Sequence, residues 1–415
     1  MPILYGKPYI NLSFITYPMR QGICVSPYCS WVTPRSSTVE IHDTTLREGE
    51  QTPGVVFSVE DKVEIAGLLL EVGIDRLEAG FPASSEIEKK AVRSIVEEYS
   101  GERIFGFARA VKSDIDAVVD TGCDGLLLSY PPSEIHLRYK LRISKEEYLA
   151  RAIEMVEYAK SHGLKVIYSA EDSTRASYEW TLRVFKSVQE AGADMLRVAD
   201  SLGCILPSAM RLLVSRLYEE GLRPLEVHCH NDHGLALANS LAAFEAGASG
   251  ISACVLGLGE RAGIAATEEL ILALNNLYGV RKYKTELLTR LCKLVSEKAR
   301  MPIWPTKPVV GGHVFTHYSG IHQDGVLKNP IVYESFPPEL VGGRRRILLG
   351  YVSGRAAVRA KLRELGIEAD EETVTKVSSR IKEYAYMRRS AITDRELLEI
   401  LSQIGVVGRG GLNER

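Results

Sequence analysis

Eight short apolar runs rich in β-branched residues recur between residues 38 and 280, and a longer stretch with helical periodicity follows each one. This alternation limits the fold more than any other feature of the chain. The runs are Val39–His42, Arg76–Ala79, Ile104–Ala108, Gly125–Ser129, Lys165–Ser169, Met195–Ala199, Leu225–His228 and Ile251–Val255. Amphipathic segments such as Val59–Val72, Lys145–His162 and Tyr178–Ala191 lie between them. Strands that alternate with helices make a parallel sheet. A doubly wound open sheet shares the pattern, but eight units favour closure into an α/β fold of the (β/α)8 TIM-barrel kind. GIDRLEAG, GCDGLLLS, GADMLRVAD and GASGISACV repeat one junction: a Gly ends a helix, and an Asp or small residue leads into the next strand.

Outside the barrel span of 38–280 the pattern changes. Residues 1–37 are rich in Pro, Ser and aromatics without a sustained period, and read as an irregular extension or a packing arm, with Met19 a second candidate start. Residues 281–350 read as a lid or linker subdomain around the Pro/Gly-rich stretch TKPVVGGHVFTHYSGIHQDG. Residues 351–415 read as a small helical subdomain with helices at Ala356–Leu365, Glu371–Tyr386 and Thr393–Ile404.

A chain of 415 residues is long enough for one large barrel with a smaller appendage. Apolar residues at 45% and charged residues at 25% fit an ordinary globular protein. The net charge of −2 offers nucleic-acid binding no compositional support, and no apolar run reaches a membrane span. No secretory signal is visible, so the chain is read as cytoplasmic. Seven scattered cysteines make no disulfide framework. Cys24 and Cys29 are spaced more widely than a CxxC hook and read as incidental free thiols.

Active sites of such barrels gather at the C-terminal ends of the strands. There the first strand runs into HDTTLREGEQ, the fifth into SAED, the sixth into ADS and the seventh into HCHND. In the seventh, period two projects His228 and His230 to one side, where they can hold a divalent metal. Glu48, beside Arg47, is the natural third ligand, since two neutral nitrogens and a carboxylate form a common catalytic set. The bland alternative is a pair of hydrogen-bonded histidines at a strand end. Glu171 could be a base, could orient one, or could be a helix N-terminal acid. His313, His317 and His322 crowd one Gly-rich segment, which suits an active-site lid or a solvated loop. GLGERAG has the flexibility of an anion loop, but matches GxGxxG weakly.

Together, HDTTLREGEQTPG, EAGFPASSE, SAEDSTR, HCHNDHG, GLGERAG and SGIHQDGVLKNP resemble the DRE-TIM metallolyase superfamily. Within it they are similar to the branch of homocitrate, 2-isopropylmalate and citramalate synthases, over roughly residues 38–405. The resemblance implies an acyltransferase that condenses acetyl-CoA with a 2-oxo acid and then hydrolyses the thioester. It also implies a divalent metal (Mg2+, Mn2+ or Zn2+) on Glu48, His228 and His230, and Arg47 at the developing alkoxide. Gln51, Ser169 and Ser201 then face the substrate, with Ser201 standing where the family usually has Thr. Glu171, His322 and Tyr333 match the group that takes the proton from acetyl-CoA. The lid would come from the neighbouring subunit of a homodimer.

Ile264 after GERAG, the segment YESFPPELVG and a C-terminus without room for a leucine-regulatory domain point to the homocitrate type, acting on 2-oxoglutarate or a longer 2-oxo diacid. Three positions depart from that type. Ile167 and Phe107 stand where some of its members carry Arg and His for the distal carboxylate, and Tyr351–Arg355 replaces the usual K-H-S-G-R/K. 2-Isopropylmalate or citramalate synthase remains the alternative. A carbon–carbon lyase of the HMG-CoA type is the competitor from another class, although GLGERAG lacks that lyase's Cys.

Overall fold

The structure, a computed structural model, describes residues 22–99, 101 and 103–406, so residues 1–21 of the N-terminal extension lie outside the described residues. The chain divides into two compact units. One comprises residues 31–314 with 341–343, and the other residues up to 30 together with 315–340 and 344 onward.

In the first unit eight parallel strands close into a barrel in chain order. They are β1 (Glu40–Asp43), β2 (Arg76–Gly80), β3 (Ile104–Arg109), β4 (Gly125–Ser129), β5 (Lys165–Ala170), β6 (Met195–Asp200), β7 (Leu225–Cys229) and β8 (Gly250–Ala253). Pairing of β1 with β8 completes the ring. Observed and expected strands agree within one or two residues. The eighth is shorter at its C-terminal end than the apolar run, because Cys254 bridges to Ala266 and residues 255–257 turn into a 3-10 helix.

Helices α1 (Val59–Val72), α2 (Glu86–Glu98) and α3 (Lys112–Val119) follow the first three strands. After β4 come the short turn α4 (Glu134–His136), a π-helical turn at Leu137–Leu141 and α5 (Lys145–Ser161). Helices α6 (Tyr178–Glu190), α7 (Pro207–Glu219), α8 (Ala236–Ala246), α9 (Thr267–Leu277) and α10 (Leu288–Ala299) complete this unit. Ser58 starts α1 with a reciprocal capping box to Asp61, and Gly73 ends it in the left-handed region at φ 103°. The Gly-ended junctions therefore have a backbone cause.

The barrel strands are buried on both faces, so their sequences read as continuous apolar runs rather than alternations. Phe105, Leu127, Ile167 and Met195 fill the barrel interior as an apolar cluster, with Phe107 packed against it. Above that cluster, the inward positions of successive strands carry polar groups.

The second unit holds the short parallel pair β9 (Thr316–His317) and β10 (Arg346–Ile347), helix α11 (Gly320–Lys328), and helices α12 (Arg355–Glu364), α13 (Glu371–Arg388) and α14 (Asp394–Gln403). The last three pack around Val358, Leu362, Val374, Val377, Ile381 and Leu401. Among the described residues of both units, no helix is long and apolar enough to cross a membrane.

Lys62 of α1 links the barrel wall to the loop after β1. Its side chain is 1% exposed, and its Nζ donates to Leu46 O (3.0 Å) and pairs with Glu50 (2.6 Å) and Glu88 (2.7 Å). Removing the cation leaves two partly buried carboxylates and a carbonyl without it. Lys62→Ala is therefore expected to lower unfolding free energy by about 3 kcal/mol, measured by urea denaturation.

Candidate active site

Side chains two apart on one strand emerge on the same face. This places Phe107 with Arg109, Leu127 with Ser129, Ser169 with Glu171, Arg197 with Ala199 and Ser201, and His228 with His230 around one cavity of about 700 Å³. Arg47, Glu48 and Gln51, from the loop after β1, line it as well. The structure thus gathers every sequence-predicted site residue of the barrel around one cavity.

Glu48, His228 and His230 are all buried, and one ligand atom from each lies within 4.8 Å of the others. The Nδ1 of His228 meets Ser252 Oγ at 2.9 Å, and its Nε2 faces the Nε2 of His230 at 3.3 Å. Burial first, and then the neighbouring His230, holds the pKa of His228 well below its ordinary value, and burial also lowers that of His230. Two neutral imidazoles turned toward each other beside a carboxylate fit a divalent ion, with Ser252 fixing one ring through its far nitrogen.

Glu48 is held from several sides. Arg47 Nη1 donates to its Oε2, and the backbone N–H of Glu260 donates to Oε1 at 3.2 Å. With its amide nitrogen turned inward, Gln51 reaches both oxygens at 3.1 and 3.0 Å. The GLGERAG loop, weakly similar to an anion loop in sequence, packs on the Glu48 carboxylate. Gly259, at φ 145°, lies so close that a Cβ would meet Glu48 Cγ at 3.2 Å, and at Gly263 a Cβ would meet Gly257 O at 1.8 Å. Arg261 of the same loop pairs with Asp232 at 2.7 Å.

Arg47 also donates through Nε to Glu78 Oε1 at 2.5 Å and lies 4.7 Å from the centroid of the Phe107 ring. Burial disfavours its charge, but Glu78 and Glu48 outweigh that and raise its pKa above the ordinary value. Glu78 belongs to a buried network that sequence reasoning missed. Arg197 Nε pairs with Glu226, its Nη2 meets His42 Nδ1 at 2.8 Å, and its Nη1 is 3.6 Å from Glu78. Charged residues inside strands expected to be buried were the available signal, because a buried charge needs a partner.

Ser201 Oγ accepts from the Asp172 N–H at 2.8 Å, so its own hydrogen remains free to donate elsewhere. Glu171 stands between two cations that the sequence did not mark. Lys140 Nζ lies 2.7 and 3.0 Å from its two oxygens, and His136 Nε2 lies 3.4 Å from Oε1. Burial raises the Glu171 pKa, but hydrogen bonds from His136 and Lys140 prevail and hold it below the usual value. The other ring nitrogen of His136 lies 3.0 Å from Asp172 Oδ2, which Ser133 and Arg175 also contact.

Of the remaining residues of interest, His317, His322 and Tyr333 lie in the second unit. His322 and Tyr333 meet there edge to face, with ring centroids 4.3 Å apart. His317 does not share the open character expected of a lid histidine: its Nε2 pairs with buried Glu334 at 2.9 Å, which Arg345 also holds at 2.6 Å. His313 falls within the barrel unit.

Hydrogen bonds to Asp172 and Glu171 raise the pKa of His136 to about 9. Its stabilising effect is therefore complete below the unfolded value near 6.5 and is lost as pH rises through about 9. Thermal unfolding as a function of pH should show a wild-type decline across this window that His136→Asn flattens.

Residues 38–295 match the HMGL-like family, and residues 309–389 match the homocitrate synthase post-HMGL domain-like family. The chain is 49% identical to homocitrate synthase AksA of Methanopyrus kandleri, over 88% of this chain and 92% of that one. It is also 49% identical to a probable 2-isopropylmalate synthase of the same organism, over 83% and 69% of the two chains. To the (R)-citramalate synthase CimA of Methanocaldococcus jannaschii it is 42% identical, over 88% and 74%. In fold it is similar to the Bacillus subtilis HMG-CoA lyase, with a TM-score of 0.59 at 21% identity over 65% of this chain and 97% of that one. The strand-end motifs and these similarities agree: the chain belongs to the homocitrate, 2-isopropylmalate and citramalate synthase family of the DRE-TIM metallolyases, acyltransferases that condense acetyl-CoA with a 2-oxo acid.

Proposed function

We propose that the acceptor is a 2-oxo diacid, 2-oxoglutarate or a longer homologue, which makes the chain a homocitrate synthase. The condensation itself is carried by one observation: the Glu48, His228 and His230 group lies in the same cavity as Arg47 and Glu171. A divalent metal (Mg2+, Mn2+ or Zn2+) held by those three residues would supply Lewis-acid polarisation of the 2-oxo carbonyl. Arg47, fixed by Glu78, aims a planar donor at the oxygen where charge develops. Ser201, Ser169 and Gln51 line the cavity and are the polar groups that would orient the acceptor. Glu171 takes the acetyl-CoA methyl proton, and His322 and Tyr333 match the residues of the family that assist this step.

Support for a diacid comes from the cavity wall. Arg151 lines it, and among the described residues no carboxylate forms an ion pair with this guanidinium. It stands beside the buried hydroxyl of Tyr130, with which it interacts. Arg151 could thus offer the cation that Ile167 and Phe107 do not. One observation favours a second reading: the apolar floor of Phe107 and Leu127 over Ile167 suits the aliphatic tail of a monocarboxylic acid, as in 2-isopropylmalate or citramalate synthesis. A homodimer in the cytoplasm is proposed for the working enzyme.

Thiol release from acetyl-CoA, measured against 2-oxoglutarate, 2-oxoadipate, 2-oxoisovalerate and pyruvate, tests the acceptor. A diacid should exceed both monoacids in kcat/KM by about tenfold or more. The opposite order would overturn the diacid reading and favour the second. His228→Ala should abolish turnover and release the metal, read by elemental analysis after desalting, without altering the circular dichroism spectrum. Arg47→Lys keeps the charge but loses the planar fork, and should lower kcat more than it raises KM.

A further inference from the structure

We infer that Lys140 is a further catalytic residue: it donates to the thioester oxygen of acetyl-CoA while Glu171 takes the methyl proton. The inference rests on the condensation proposed above. Lys140 lies on the π-helical turn after β4, and it lines the same cavity as Glu171, Arg47 and the ligand group. Its Nζ contacts both oxygens of Glu171, and both side chains are partly open to that cavity.

When the methyl C–H bond breaks, the proton moves to Glu171, the bonding pair becomes the new carbon–carbon π bond, and the carbonyl π pair moves onto oxygen. One unit of negative charge thus leaves Glu171 and appears on the thioester oxygen. The ammonium that balanced the carboxylate loses its counter-ion at that moment, within reach of a new one. Of the other cavity cations, Arg47 is committed to Glu78 and Glu48, Arg109 to Asp114, Arg197 to Glu226 and Arg261 to Asp232, while Arg151 stands against Tyr130 rather than Glu171.

His136 also touches Glu171, but its ring is tied to Asp172 and cannot follow. Lys140 can, because its ammonium sits on a four-carbon stem with free rotation. When the enolate carbon attacks the 2-oxo carbon, the oxygen pair reforms the thioester carbonyl and the 2-oxo π pair moves onto its own oxygen as an alkoxide, which takes a proton to become the product hydroxyl. Glu171 returns its proton to solvent, so that the proton count balances, and recovers Lys140. Held low in pKa by His136 and Lys140 against the effect of burial, Glu171 begins each cycle ionised.

Lys140→Met and Lys140→Gln test this in the full-length, metal-loaded enzyme, with Lys140→Arg as the conservative variant. Loss of a donor to a developing oxyanion lowers kcat by about 10²–10³-fold. The expected result is a loss of that size in both neutral variants and partial recovery in Lys140→Arg. The kinetic isotope effect on kcat with trideuterioacetyl-CoA should rise as proton removal becomes limiting, while 2-oxo acid binding by calorimetry and the KM for acetyl-CoA change less than about threefold. A kcat within about threefold of wild type in either folded neutral variant overturns the inference. So does a defect confined to the KM for acetyl-CoA, which would make Lys140 an anchor for the CoA moiety. Wild-type enzyme that releases no CoA with any of the four acids overturns the proposed function, and this inference with it.

Discussion

Glu78 has no solvent exposure, yet its carboxylate remains charged because the Arg47 guanidinium lies 2.5 Å away and Arg197 stands 3.6 Å away on its other side. Desolvating a carboxylate costs several kcal/mol unless a partner of good geometry compensates. The pair therefore fixes the loop after β1 against β2. Because Arg47 also contacts Glu48, and Glu48 accepts from the Glu260 N–H, the same constraint sets the carboxylate opposite the two histidines of β7. Arg197, Glu226 and His42 extend the network across the barrel interior, tying β6, β7 and β1 to β2.

Electrostatic environments differ around the cavity. On the β7 side, burial depresses both imidazole pKa values and leaves the rings neutral, ready to bind a cation. On the β5 side, His136, Lys140 and Arg175 keep Glu171 and Asp172 ionised, with the Asp172 pKa lowered to about 2. Neutral donors and held anions thus share one cavity because their neighbours differ, although all derive from strand ends of the same barrel. Division of labour of this kind is expected where one site must both polarise a carbonyl and remove a proton.

Much of this was legible along the chain. Strand positions followed from apolar runs of β-branched residues, helix ends from Gly at left-handed positions, and the ligand group from period two at His228 and His230 combined with a carboxylate loop after β1. Less legible were groups that matter only through a neighbour distant in sequence. Lys140 lies 31 residues from Glu171, and nothing in HLRYKL marks it as an active-site cation. His317 looked like its neighbour His322, until Glu334 and Arg345 showed it to be part of a buried ion pair.

The sequence by itself determined the barrel, the order of its strands and the residue types at each strand end, because these depend on local periodicity and backbone preference. Its motifs also determined the family. Tertiary structure alone decided which charges face one another: that Glu78 clamps Arg47, that Gly259 lets its loop close on Glu48, and that Glu171 rests between Lys140 and His136. The physical reason is that Coulomb and hydrogen-bond energies depend on distance and burial in space, which local sequence patterns do not encode.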